Sequence, residues 1–371
     1  MVARMPDIQK VIGLMSGTSL DGIDAALLDT DGVDVARPGE ALTLPYDEET
    51  RNMLRDALRA APLVPAGAPV PAVIRDAEHQ LTYAHAVAVK TLLDEAGLKP
   101  DDVSLIGFHG QTILHRPGEH RTWQIGDGTR LARMTGIDVV NDFRSADVAA
   151  GGQGAPLMPL YHAVLARAAG VEGPVVVVNI GGVAQVTYID GDLVLAFDTG
   201  PGNAPIDDWM LARSGEALDM NGDAARRGQV DQALLDRMLA HDFFGITPPK
   251  SLDRQDFGIS IVKDLSLEDG AATLTAFTAG ALAAARAHFP KPAKNWIVSG
   301  GGRHNLALMD QLQSKLGTRV INADELGWRG DSVEAEGFAY LAARSRAGLP
   351  LSFPTTTGVT APLTGGRLHK K

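Results

Sequence analysis

The sequence predicts an α/β protein of two lobes, each built on a mixed sheet. Apolar runs that read as buried strands end repeatedly in glycine-bearing turns, amphipathic stretches with helical spacing lie between them, and this order of elements occurs twice. Residues 11–15 form the first apolar run; it breaks at Ser16 to Gly22 and resumes over 23–29, which is a hairpin. The second half opens the same way, residues 175–180 running into Gly181-Gly182 and on into 183–189 and 193–197. Each half later has another short strand before a polar glycine turn: 105–108 into His109-Gly110-Gln111, and 296–299 into Gly300-Gly301-Gly302. Opening hairpins make the sheets mixed rather than purely parallel.

Helices are expected over 48–61, 77–96, 156–169 and 274–289, where apolar residues recur at a 3.6-residue period. The Pro-, Gly- and Ala-rich stretch 65–71 reads as a surface loop, and 348–366, with three prolines, as an irregular tail. A change of lobe is expected at 170–174, dividing the chain into 1–172 and 173–371.

Composition limits the function. A chain of 371 residues, 45% hydrophobic and 21% charged, can bury one large core or two medium ones. Its net charge of -11 argues against a nucleic-acid groove or an anionic membrane surface, which select for clustered Lys and Arg. No cysteine occurs, which excludes disulfides, thiolate catalysis and Cys-built zinc sites. The apolar stretch after Arg4 and Lys10 is broken at once by Ser16, Gly17, Thr18 and Ser19, so neither a signal sequence nor a membrane span is expected, and a cytoplasmic location is.

The chemistry-bearing residues lie at the glycine turns. Gly17-Thr18-Ser19-Leu20-Asp21-Gly22-Ile23-Asp24 combines glycines, whose bare backbone lets N–H groups face an anion, with hydroxyl donors and two carboxylates able to hold magnesium through water. No Lys follows the glycines, so this is not a Walker loop; a strand rather than a helix comes next, so it is not a dinucleotide fingerprint. On this segment alone, a phosphate cradle and a plain Asp-Gly hairpin turn both stay open. Asn179-Ile180-Gly181-Gly182 offers a second cradle, followed after one hairpin by Asp198-Thr199-Gly200-Pro201-Gly202-Asn203. A carboxylate ending an apolar strand points to a cleft, which makes Asp198 the candidate general base; capping the helix expected from 204 is the alternative. Gly300-Gly301-Gly302, between a strand and a helix expected over 306–316, allows close approach of a flat purine; a floppy surface loop is the alternative.

Arg144 can grip a carboxylate bidentately, and the amides and acids around Asp147 can bind sugar hydroxyls; on this segment alone a salt-bridged loop stays equally open. His109 and His115 lack a second ligand at metal spacing and read as ordinary polar or core histidines. Glu334 and Glu336, two residues apart on an expected helix, point to different faces, so at most one of them faces a cleft.

With these residues assembled, the chain resembles the anhydro-N-acetylmuramic acid kinases over essentially its whole length. The resemblance is carried by residues 13–22, His109-Gly110-Gln111-Thr112, Gln124-Ile125-Gly126, Asp142-Phe143-Arg144 with residues 147–156, residues 197–203 and Pro249-Lys250-Ser251. It implies a two-lobed, actin- and hexokinase-like (ribonuclease H-like) duplicated fold around a central ATP cleft. It further implies MgATP as donor, 1,6-anhydro-N-acetylmuramic acid as acceptor in cell-wall recycling, and a homodimer. The implied reaction is unusual: water opens the anhydro bridge while the freed sixth oxygen takes the γ-phosphoryl group. Asp198 then matches the base that activates water, Glu334 would orient substrate or water, and Glu336 would be the solvated one of the pair. Gly17 to Asp24, Gly181, Gly182, Gly200, Gly202, Asn203 and Gly300 to Gly302 would hold the nucleotide; Gln111, Arg144 and Asp147 would hold the sugar, with Arg144 on its lactyl carboxylate. Which residues contact the magnesium is left open. Gln185 and Leu252-Asp253-Arg254 depart from the family's commoner Asn and Thr-Gly-Arg. Two rival readings remain: a hexokinase-like kinase for an ordinary sugar, and a non-catalytic actin-like nucleotide-binding protein.

Overall fold

A computed structural model of the chain describes residues 7–17, 20–252 and 256–371. In chain order its strands and helices are β1 (Gln9–Ser16), β2 (Gly22–Thr30), β3 (Ala36–Pro45), α1 (Glu48–Ala60), α2 (Ala72–Ala96), β4 (Leu105–Arg116), β5 (Arg121–Ile125), α3 (Gly128–Thr135), β6 (Val139–Asn141), α4 (Ser145–Ala149) and α5 (Pro159–Ala168). There follow β7 (Val175–Ile180), β8 (Val183–Asp190), β9 (Leu193–Pro201), α6 (Ala204–Ser214), α7 (Asp223–Arg227), α8 (Gln232–Leu239), α9 (Leu267–Ala284), β10 (Asn295–Ser299), α10 (Leu306–Leu316), β11 (Arg319–Asn322), α11 (Val333–Arg346) and β12 (Arg367–His369). No helix among the described residues is long and apolar enough to cross a membrane.

The chain divides into two compact units, and the division differs from the expected one. Residues up to 165 join with 332–371 in the first unit, while 166–331 form the second. The C-terminal segment therefore returns to the first unit instead of completing the second. Two glycines allow it. A Cβ on Gly13 of β1 would lie 1.7 Å from the Ala335 carbonyl oxygen, and one on Gly107 of β4 would lie 2.1 Å from that of Phe338. Without side chains at these positions, α11 lies directly on the backbone of both strands.

The two sheets share one topology. In the first unit the strand order is β12-β6-β4-β1-β2-β3, with β5 on β4. The β1, β2 and β3 meander is antiparallel, while β4 and β6 add in parallel on the other side of β1. In the second unit the order is β11-β10-β7-β8-β9, again an antiparallel meander with two parallel strands added beside its first strand. That repetition is the duplicated ribonuclease H-like architecture of the actin- and hexokinase-like fold. β7 is buried along nearly its whole length, which explains why it reads as a continuous apolar run rather than an alternating one.

Where α9 differs from expectation, burial is the reason. α9 begins at Leu267, capped by the Ser266 hydroxyl accepting from the Asp269 N–H, and its residues from Gly270 to Leu282 are all buried. A helix buried on every side shows no polar face, so periodicity reveals only part of it. α2 starts at Ala72, behind Pro71, and ends at Gly97 in the left-handed region with φ of 66°.

The first unit buries histidines in neutral form. Burial pushes His85 and His162 down to about 4, and burial together with the Arg144 guanidinium holds His109 well below the usual histidine range. Unfolding returns these rings to a value near 6.5, so the unfolded state binds more protons as pH falls. The contribution of His85 and His162 is complete above about pH 6.5 and is lost progressively down to about pH 4, at ~2 kcal/mol for each of these two rings by pH 5; His109 acts in the same direction. The urea midpoint is accordingly expected to fall well below its pH 7 value at pH 5; an unchanged midpoint would contradict neutral burial.

Candidate functional site

In the second unit, three glycine turns converge. The Gly202 N–H donates to the Gly182 carbonyl at 2.9 Å and the Asn203 N–H to that of Gly181 at 2.8 Å. A Cβ on Gly202 would lie 2.2 Å from the Gly181 oxygen. Gly300, at φ of +75°, packs so that a Cβ would fall 2.3 Å from Asn179 Oδ1, and one on Gly302 would fall 2.4 Å from Ile180 Cγ2. These backbones therefore touch only because side chains are missing. On their other side there is room: a Cβ on Gly181 or Gly301 would meet nothing nearer than 3.8 Å or 3.7 Å. Asn203 begins α6, whose amino end adds partial positive charge to the group. The cluster suits a polyphosphate with an attached flat base.

Arg303 holds the third turn. It is 3% exposed and donates to the Gly300 carbonyl, to Asp324 at 3.0 Å, and bidentately to Asp331 at 2.6 and 2.8 Å. The same guanidinium draws the Asp331 carboxyl below the ordinary aspartate range.

Asp198 stands inside β9, not at its end. The strand continues to Pro201 through a bulge: Gln185 pairs with Asp198 while the adjacent Ala184 pairs with Gly200, leaving Thr199 as the extra residue. Bulges re-aim side chains, and here the bulge follows the carboxylate immediately. Asp198 is 8% exposed, its N–H donates to the Lys250 carbonyl at 3.0 Å, and its Oδ2 accepts the Leu252 N–H at 2.9 Å. The segment 250–252 thus grips it from backbone and side chain. Lys250 anchors that segment: its ammonium donates to the Phe243 carbonyl at 2.8 Å and lies 4.4 Å from the Phe243 ring centre, and burial lowers its pKa.

In the first unit, Leu20 and Asp21 of the β1–β2 connection are held by hydrogen bonds. Thr18 and Ser19 lie outside the described residues. Leu20 adopts φ of +57°, a conformation costly for a branched side chain. Its N–H donates to the Gly17 carbonyl at 3.2 Å, and its own carbonyl accepts from Arg51 Nε at 3.0 Å. Leu20 and Ile23 bury their side chains in the core, so what they can offer a phosphate is backbone. Asp21 Oδ1 accepts the Gly22 N–H, and Asp24 Oδ1 accepts the Thr43 hydroxyl at 2.6 Å.

Gln111 is fully buried and accepts the Ser16 hydroxyl at 2.6 Å, with Tyr46 bonded to Ser16 in turn. It braces β4 against β1. The turn expected at His109-Gly110-Gln111 is instead a bulge within β4: Leu14 pairs with Phe108 and Ser16 with Gln111, and Gly110 has φ of +73°. Arg144 Nε donates to His109 Nε2 at 3.1 Å, and Nη1 donates to the Gly154 carbonyl at 2.7 Å. Asp147, 2% exposed, spends Oδ1 on the Gly154 N–H at 2.6 Å and Oδ2 on the Thr357 hydroxyl at 2.5 Å, shaping the loop that holds Arg144. Glu334 is half-buried in the first turn of α11, where the helix end favours its charge.

A family model for anhydro-N-acetylmuramic acid kinase matches residues 9–371. The chain belongs to that family. The anhydro-N-acetylmuramic acid kinase of Rhizorhabdus wittichii is 54% identical over 362 residues, covering 97% of this chain and 98% of the relative. That of Methylobacterium nodulans is 53% identical over 369 residues, covering 96% and 98%. Among solved structures, a ROK family glucokinase from Streptomyces griseus in complex with glucose and AMPPNP is similar at a TM-score of 0.43 and 16% identity, covering 90% of this chain and 99% of that one. Component A of the Acidaminococcus fermentans (R)-2-hydroxyglutaryl-CoA dehydratase is similar at a TM-score of 0.49 and 12% identity, over 91% and 99%. Membership makes the chain a kinase.

One carboxylate of this kinase stands opposite to expectation. Glu336, read as the solvated member of its pair, is 1% exposed and accepts the Tyr161 hydroxyl at 2.6 Å, while Glu334 keeps the more open position. Tyr161 is itself fully buried, so this glutamate is part of the interior. The pair meets across 175 positions of sequence, a distance at which spacing carries no signal. Lys250 and Leu252 are likewise invisible as partners of Asp198 in sequence; the only hint is a lysine that directly follows two prolines.

Proposed function

We propose that this kinase hydrolytically opens 1,6-anhydro-N-acetylmuramic acid and phosphorylates its sixth oxygen, giving N-acetylmuramic acid 6-phosphate and ADP in peptidoglycan recycling, as a cytoplasmic homodimer. The observation that carries the reading is the gathering of three glycine turns in one unit, with a buried, bulge-directed Asp198 on the strand that leads into them.

Asp198 takes the proton of the attacking water, whose oxygen bonds to the anomeric carbon as the bond to the sixth oxygen breaks. Leu252 fixes the orientation of the carboxylate through its N–H. MgATP supplies the phosphoryl group that the freed oxygen accepts. Gly181, Gly182, Gly200, Gly202, Asn203 and Gly300 to Gly302 hold the nucleotide, together with Gly17 to Asp24, and magnesium would be held largely by the phosphates. Arg144 binds the lactyl carboxylate, Glu334 orients substrate or water, and Gln111 and Asp147 support the sugar by bracing the strand and loop beneath it. Binding and positioning then do most of the work, as phosphoryl transfer requires.

The test is a coupled assay of ADP release with the anhydro sugar in ¹⁸O-labelled water. Turnover with label at the anomeric carbon is expected. Phosphorylation of an ordinary hexose without turnover of the anhydro sugar would instead support the hexokinase-like reading, and ATP binding with no phosphorylation of any sugar would support the actin-like one.

A further inference from the structure

His109 is a histidine for which neither the proposed reaction nor the fold has yet supplied a task. It is 4% exposed, and its ring lies 4.5 Å from that of Phe338, tilted by 31°. The β4 bulge, with Gly110 at φ of +73°, sets its direction. Its Nε2 accepts the Arg144 Nε–H at 3.1 Å, so the ring is the neutral tautomer with its proton on Nδ1.

Arg144 is held from two sides. Nε points at His109 and Nη1 at the Gly154 carbonyl, while the guanidinium carbon lies 6.0 Å from the Phe338 ring centre. A guanidinium binds a carboxylate well only when its plane is preset, because the two parallel N–H···O bonds demand one orientation. A neutral acceptor at Nε fixes that plane; a cationic one would repel it. Burial first, and then the nearby Arg144 charge, disfavour the protonated ring.

We infer that His109 is a positioning residue for sugar recognition: as a neutral acceptor on Nε it presets the Arg144 guanidinium for the lactyl carboxylate. The inference rests on the reading of Arg144 as the carboxylate ligand. Its consequence is that His109 governs the affinity for the acid and not the chemical step.

The experiment compares wild type, Arg144→Ala, His109→Phe, His109→Asn and His109→Gln on the anhydro sugar and on its lactyl amide. Phe keeps a ring against Phe338 but has no acceptor, Asn is too short to place one at Nε2, and Gln places its oxygen near that position. His109→Phe and His109→Asn are expected to raise KM for the acid about tenfold, the effect of losing one charge-assisted bond, with KM for ATP and kcat little changed. KM for the amide should move little, and His109→Gln should recover most of the loss. If Arg144→Ala raises KM for the acid and neither His109→Phe nor His109→Asn does, the His109 inference falls and the Arg144 reading stands. If Arg144→Ala leaves the preference for acid over amide intact, the Arg144 reading falls and takes the inference with it. Equal losses on acid, amide and ATP would show a merely structural histidine and overturn the inference.

Discussion

Replacing Asp198 by asparagine is expected to lower kcat on the anhydro sugar by roughly 10²–10⁴-fold, the range over which a positioned general base acts, while ATP binding measured by calorimetry stays within a few-fold of wild type. Asparagine keeps an oxygen that can accept the Leu252 N–H and leaves the Lys250 carbonyl bond untouched, since that bond uses the backbone. The substitution therefore removes basicity while leaving the shape of the bulge in place. The glycine turns that would hold the nucleotide make their contacts through backbone and would not register the change. Retained turnover would reject Asp198 as the base, and joint loss of turnover and ATP binding would show that the carboxylate supports the nucleotide site instead.

The largest effect on stability is expected at Gly13. An alanine there puts Cβ 1.7 Å from the Ala335 carbonyl oxygen and 2.7 Å from the Ala339 nitrogen, both backbone atoms of α11. No rotamer relieves this, so helix and strand must separate and expose Val11, Leu105, Phe338 and their neighbours on that face of the sheet, at a cost of about 3 kcal/mol or more. Gly118→Ala is the control, because a Cβ there has nothing within 4 Å. Urea unfolding of both variants against wild type measures the difference; equal midpoints would mean that α11 does not pack on β1 as described.

The fold was legible where the pattern is local. β7 and α10 have the bounds that hydrophobic runs and glycine punctuation indicate, and the repeated hairpin opening discloses the duplication. Legibility failed where a partner lies far away in sequence. Glu334 and Glu336 could be separated by helical spacing but not ranked, because the hydroxyl that draws Glu336 inward belongs to Tyr161. Asp147 reads as a sugar ligand in the sequence, yet both of its oxygens serve Gly154 and Thr357, the latter 210 positions away. Asp198 was visible as an acid among apolar residues. The backbone grip of residues 250–252 was not, since an amide donor has no residue type. The bulges at Thr199 and Gly110 were read as strand ends for the same reason: an unpaired residue inside a ladder and a turn after it look alike in composition.

The return of α11 to the first unit also constrains how the protein comes into being. Synthesis delivers β1, β2 and β4 early, yet the helix that covers them arrives only after all of residues 166–331 have emerged. The second unit, being continuous, can fold during translation, whereas the first must wait for its last piece with apolar strand faces open to nascent-chain chaperones. A ribosome that stops before residue 333 would release a chain whose second unit has all its residues and whose N-terminal sheet lacks its cover.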